Sequence, residues 1–488
     1  MKKTTLIAVA LLCPQIPLHA DFKLSLSDEL CPWAAQNLSA PESLPGLRGP
    51  SVVYRSEVRP VAGEEAPPAA RVKTLSKNEN KDWTIMVFMN GKSNIEPFAL
   101  NDMNRFETVG SGEKVNIVVE LGRSKGLEND TAADGDWAGV RRYLVVKDAD
   151  KEHISSPVLM DLGDKDMGDY KEAVSFVNWA KANYPAKRYM LIIWDHGWGW
   201  IDPKKPGGNL VNRGKSISHD FVSGNYIKTT DLGKIFKEAG RVDLYASMAC
   251  FMQMAEVAYE LKDGADIIVG AEEVVQLPSF NFEDFFTLML TNPGVSAEQA
   301  GVFLVDTFKE MYSRPEYSDM LEKTRYGTEL SAIRADKLDT FAQKAGDWAR
   351  LAIQVNDTAA YKKAKTEVLR FEIGDETTDP DKQISFYADL AHFVKLVSAN
   401  LNPALPGAAE LKTAGMDLNG FISGELVVKN AALGRDRTGK DYSNTRGISI
   451  DIPGKPGDLI EYYPTYSRLA FEKASNWAEF MAYLGRIE

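Results

Sequence analysis

Two short apolar runs each end on a residue that can do chemistry. Tyr189-Met190-Leu191-Ile192-Ile193 leads into Trp194-Asp195-His196-Gly197-Trp198-Gly199-Trp200, and Val242-Asp243-Leu244-Tyr245-Ala246 leads into Ala249-Cys250-Phe251-Met252. Brief apolar runs closed by Gly or polar residues predict buried strands. The same reading places strands over 83–89, closed by Asn90-Gly91, over 115–121 and over 266–271, with 141–146 as an edge strand. Between them the period becomes helical. Ala173, Phe176, Val177 and Ala180 share one face of a helix over 170–184, and further helices are expected over 96–108, 230–239 and 251–262.

Strands that alternate with helices predict a parallel sheet covered on both faces. In such sheets ligands bind beyond the carboxyl ends of the strands. His196 and Cys250 are both expected at those ends. From 296 to 488 the pattern is mainly helical, with amphipathic stretches over 335–355, 358–371 and 385–399, and late strands over 425–429 and 447–453. The expected organisation is a leader over 1–20, an extended N-terminal segment or pro-segment over 21–80, an α/β core over 81–295, and a helix-rich region over 296–488 whose late strands complete the fold.

The leader is read from Met1-Lys2-Lys3, the apolar run Leu6 to Leu12, and Ala20. A basic start, an apolar middle and a small residue at the end make a secretory signal, and the run is too short to span a bilayer. Export to the periplasm or the cell exterior is expected. Its removal leaves Cys31 and Cys250, which is not a disulfide framework. Residues 21–80 are broken by prolines at 41, 45, 50, 60, 67 and 68 and are not expected to pack. A net charge of −12 argues against nucleic acid as a partner. Oligomeric state is not readable.

A thiolate is the reactive form of cysteine. A strand-to-helix junction at Cys250 would favour it through the helix dipole, and His196 could carry the proton to the leaving amine. Gly197, without a side chain, leaves its N–H open to a carbonyl oxygen, so Gly197 and Cys250 amides are the expected oxyanion donors. Asp195 should point away from the imidazole, because neighbours on a strand face opposite ways. A dyad is therefore expected rather than a triad. His219 beside Asp220 is too small a set for a metal hydrolase, and no Gly-x-Ser-x-Gly elbow supports a serine enzyme.

The separation of His196 and Cys250 is close to the roughly 50 residues of the caspase pattern. Several ordered motifs go further: 83–91, 192–200, Ile217-Ser218-His219-Asp220 with Ser223-Gly224, 242–244 into 249–252, Glu256 to Leu261, Gly270-Ala271-Glu272-Glu273, and Gly447-Ile448-Ser449-Ile450. Through these the chain resembles the clostripain family of cysteine peptidases, in the caspase-like clan. The resemblance implies a caspase/hemoglobinase-like α/β fold with a mostly parallel sheet, a protein or peptide substrate, and His196 and Cys250 as the catalytic pair. Members that cut after Arg or Lys carry an acid two positions before the Cys. Met248 stands there, so a strict basic preference is not expected, unless Glu272 or Glu273 supplies the charge. Met248, Asp220 and Glu272 are the candidate substrate contacts. The chemistry needs no cofactor. The family link admits calcium, for which Asp220 and nearby acids offer oxygens but no EF-hand loop. The loop 201–215, with Arg213, is expected to be exposed and cleavable. The competing reading is an exported binding protein on the same fold that has lost activity.

Overall fold

The computed structural model describes residues 80–127, 129–201, 216–276, 278–371, 387–436, 438–454 and 463–487. The expected leader, nearly all of the N-terminal segment with Cys31, and positions 202–215 lie outside them.

The main sheet is built from β1 (Lys81–Gly91), β2 (Val115–Arg123), β3 (Gly139–Leu144), β4 (Val158–Asp161), β5 (Ala186–Trp194), β8 (Leu244–Met248), β9 (Ile267–Gly270), β10 (Thr328–Arg334) and β12 (Val427–Leu433). Its spatial order is β12-β10-β9-β8-β5-β1-β2-β3-β4. The five central strands, β2 to β9, run parallel, and both flanks are antiparallel. Alternation sorts the strand residues to two cores. Ile85, Val87, Met89, Met190, Ile192, Trp194, Leu244, Ala246 and Met248 face helices Glu96–Glu107, Phe282–Thr291 and Ala297–Tyr312. Met86, Phe88, Leu191, Ile193 and Tyr245 face Tyr170–Asn183, Thr229–Ala239, Ala255–Leu261 and the C-terminal helices. Covered on both sides, the central strands are mostly apolar, as buried parallel strands are, with Thr84, Asn116, Glu120 and Arg123 among the buried polar exceptions.

The strand expected at 141–146 is not an edge. β4 pairs outside it in antiparallel register, Arg141 to Asp161. β4, the rim strand, went unread because its apolar run is only three residues long, Val158, Leu159 and Met160, and these are exposed.

At the other end, β10 and β12 extend the main sheet. A small pair, β11 (Tyr387–Asp389) and β13 (Ser449–Asp451), lies apart from it. β13 reaches the loop that carries the cysteine, where Ser449 N–H donates to Gln253 O at 3.0 Å. A third short pair, β6 (Ile217–Asp220) and β7 (Asn225–Ile227), covers the end of β5. No helix among the described residues is long and apolar enough to cross a membrane.

Candidate active site

β5 and β8 are neighbours in parallel register, with Trp194 opposite Met248. Each strand ends there, and two residues later come His196 and Cys250. Adjacent strands lie about 4.8 Å apart, so equal offsets beyond a shared register bring the two residues to one rim. The backbone packing is closer still. Asp195 N–H donates to Met248 O at 3.3 Å. A Cβ on Gly197 would stand 2.5 Å from Cys250 O and 2.9 Å from Ala249 Cβ. Only a glycine lets the segment after His196 lie against the segment that carries Cys250. Trp198 N–H donates to Ser216 O across the bridge that pairs Gly197 with Ile217. That pattern puts Gly197 in the non-hydrogen-bonded position of the bridge, which leaves its own N–H unused by it.

His196 is buried, and its Nε2 lies 2.8 Å from Asn94 Oδ1. Asn94 sits in the turn between β1 and the helix Glu96–Glu107. The ring of Phe221 runs nearly parallel to the imidazole, at 9° and 6.3 Å. Burial pushes the His196 pKa down to about 4, so the imidazole is neutral. Asp195 turns away from the ring. Its carboxylate accepts from Asn90 Nδ2 at 3.2 Å, from Ser93 Oγ at 3.5 Å and from the backbone N–H of His219. Burial pushes its pKa well up. This carboxyl ties the ends of β1, β5 and β6 together. Trp198 and Trp200 are buried. Trp200 donates to Asp451 at 3.2 Å and packs edge-on against Tyr466.

Cys250 carries a free, buried thiol. The helix expected at 251–262 begins only at Ala255, so the thiol is not on its first turn. The intervening backbone is taken by the segment that follows β9 instead: Phe251 N–H donates to Glu273 O at 3.2 Å and Gln253 N–H to Ala271 O at 3.0 Å. Phe251 is held at φ 60°, a strained conformation for a bulky residue. The helix dipole fades within one turn, so it is not what would favour the thiolate here.

The sequence model of the clostripain family matches residues 87–484. The chain belongs to the clostripain family of cysteine peptidases. Clostripain of Hathewaya histolytica is 28% identical over 239 residues, which cover 46% of this chain and 45% of that protein. The match thus spans less than half the length of that relative. Among solved structures, a secreted C11 cysteine protease from Bacteroides thetaiotaomicron, in complex with an irreversible peptide inhibitor, superposes with a TM-score of 0.56 at 17% identity. An inactive zymogen C11 protease from Parabacteroides distasonis superposes with a TM-score of 0.56 at 15% identity. Each comparison covers 81% of this chain and 99% of the other. At such identities the likeness speaks for the fold, which is the caspase-like sheet expected from the sequence.

In this clostripain-family chain the three expected substrate contacts have different fates. Met248 is almost wholly buried on the face shared with Trp194 and Ala246. Glu272 is fully buried and turned toward the C-terminal elements. Its Oε2 accepts from Gly447 N–H at 3.2 Å, while its own N–H donates to Glu329 at 2.7 Å. Burial, with Asp389 and Glu329 alongside, pushes its pKa well up. Asp220 accepts from the N–H groups of Met167, Val222 and Ser223 at 2.9–3.0 Å and pairs with Lys92 at 2.8 Å. Both carboxylates are held by these partners. Glu273 is likewise engaged, by Val274 N–H at 2.8 Å and by Tyr442 OH. Asp220 therefore does not fit calcium either: its oxygens are taken by N–H groups and an ammonium. Among the described residues no group of three or more His, Cys, Asp or Glu is arranged to hold a metal.

Asn94 was missed by the sequence reading. A lone Asn in a turn after Asn90-Gly91 looks like ordinary turn chemistry, and nothing local links it to a histidine 102 positions away.

Proposed function

We propose that this protein is an exported cysteine endopeptidase of the clostripain type, working through a Cys250/His196 dyad. The observation that carries the reading is the Trp194–Met248 register together with the Gly197–Cys250 backbone contact. His196 takes the thiol proton as Cys250 Sγ attacks the scissile carbonyl. The new C–S bond forms and the carbonyl oxygen becomes an oxyanion, held by the N–H groups of Gly197 and Cys250. The C–N bond then breaks, and the amine leaves with the proton from His196. Water, deprotonated by His196, attacks the thioester and frees the acid and the thiol. The unprotonated imidazole has a free lone pair for this proton, and because burial makes it a weak base it holds the proton only until the amine takes it.

The residue before the scissile bond is proposed to be apolar or uncharged. Met248 offers a thioether where a cation would need a carboxylate, and Glu272, Glu273 and Asp220 are all engaged elsewhere. Burying an unpartnered ammonium or guanidinium is costly. Export rests on the N-terminal signal pattern alone.

A cleavage profile on a peptide library, with wild type, Cys250→Ala and His196→Ala, tests both points. The dyad predicts cleavage by wild type only, and fast iodoacetamide labelling of Cys250 that slows in His196→Ala. Slow labelling with no cleavage would favour the inactive binding protein. Cleavage only after Arg or Lys would overturn the specificity.

A further inference from the structure

The contact at the far side of His196 has a consequence for which nitrogen faces the thiol. Asn94 Oδ1 lies 2.8 Å from His196 Nε2, and both side chains are buried. An amide oxygen only accepts, so Nε2 must carry the imidazole hydrogen. The second nitrogen, Nδ1, then holds the lone pair that can receive a proton. Tautomer choice in histidine is set by the hydrogen bond at the other ring atom.

The surroundings hold this arrangement from several sides. Phe221 runs parallel to the ring and limits its rotation. Asn94 is anchored at its own carbonyl by Asn129 Nδ2 at 3.3 Å. The next helix is pinned by the buried pair of Glu96 and Arg123 at 2.7 Å. The titratable groups beside the imidazole are Asp195 and His219, whose ring centre is 6.3 Å away. Asp195 spends its oxygens on Asn90, Ser93 and the His219 backbone and does not compete for the ring.

We propose that Asn94 is a positioning residue that fixes His196 as the Nε2–H tautomer and turns Nδ1 toward Cys250. The inference rests on the dyad reading above. It also explains a neutral partner in this place. A carboxylate at Asn94 would orient the ring equally well but would stabilise imidazolium, and so remove the base at mildly acid pH.

The test compares kcat, KM and pH profiles of wild type, Asn94→Ala and Asn94→Asp, with His196→Ala as reference, on one cleaved peptide. Asn94→Ala should lower kcat about 10- to 100-fold with KM within about 3-fold, the range found for groups that orient metal-binding histidines. Asn94→Asp should keep its plateau rate within about 10-fold but move the acid limb of kcat/KM up by about 1–3 pH units. A purely structural Asn94 would not move that limb. In ¹⁵N-histidine spectra of Cys250→Ala protein, His196 should show Nε2–H, and the double variant with Asn94→Ala should lose that preference. Wild-type kcat in Asn94→Ala, an unmoved limb in Asn94→Asp, or an Nδ1–H ring would overturn the proposal. An active His196→Ala would instead sink the dyad itself.

Discussion

Replacing Gly197 with alanine probes the closest approach in the site. The new methyl would meet Cys250 O at 2.5 Å, Ala249 Cβ at 2.9 Å and Met252 Cγ at 3.1 Å. Ordinary contact begins near 3.4 Å, so the two segments must part by about 0.9 Å. Two of the three atoms belong to the backbone or its first carbon, beside strands locked in register, and cannot swing aside. Overpacking of this kind costs about 1–3 kcal/mol of stability. A displacement of about 1 Å between reacting groups costs about 100-fold in rate, or about 2.7 kcal/mol of barrier. The oxyanion N–H of Gly197 would shift as well, in the same direction of loss. The assay is kcat/KM on a fluorogenic peptide, normalised by thiol titration, with Tm measured alongside. Gly197→Ala should fall at least about 100-fold while remaining folded. Gly294→Ala, where a Cβ meets nothing within 4 Å, should match wild type. A folded Gly197→Ala within about 3-fold of wild type would refute the packing argument.

The pH dependence follows from the buried imidazole. Its folded pKa is near 4 and its ordinary value 6.5, so the acid limb of kcat/KM should fall below pH 5 and not near 6.5. A depressed histidine pKa costs nothing above 6.5, where both states are neutral. It destabilises increasingly as pH drops from 6.5 toward 4, where only the unfolded ring gains a proton. Denaturation midpoints should therefore fall less over that window in His196→Gln than in wild type. Arg123 is fully buried with Glu96, and it also donates to Ala133 O at 2.9 Å and Thr131 O at 2.7 Å. Burial already raises the Glu96 pKa to about 7 beside Arg123, so in Arg123→Met the carboxyl takes up a proton and loses its hydrogen-bond partner, which should cost about 1–3 kcal/mol in urea unfolding; an unchanged stability would contradict that. Met248→Asp should raise kcat/KM for Arg over Leu before the scissile bond at least about 10-fold, since a pairing carboxylate is worth more than one tenfold step. An unchanged profile would show that this position does not line the pocket.

Much of the sheet was legible because its signals are local. The runs that became β1, β2, β5, β8 and β9 are apolar at most positions, and a central parallel strand tends to be so whatever lies far away in the chain. Placing His196 and Cys250 just past two such runs needed only the chain itself. Where local signals were weak or outvoted, the reading failed. β4 presents exposed apolar residues at the rim, and the stretch after Cys250 has a helical pattern whose first N–H groups are captured by Ala271 and Glu273.

The central strands, the family and the place of His196 and Cys250 just past two of those strands were decided by sequence alone, because periodicity and motif spacing are written along one chain. Which groups surround them was decided by tertiary structure. Asn94 reaches His196 across 102 positions and Glu272 turns to Gly447 across 175. Such contacts depend on the register of neighbouring strands and on competition among buried donors and acceptors, and each partner is satisfied only once the sheet has assembled.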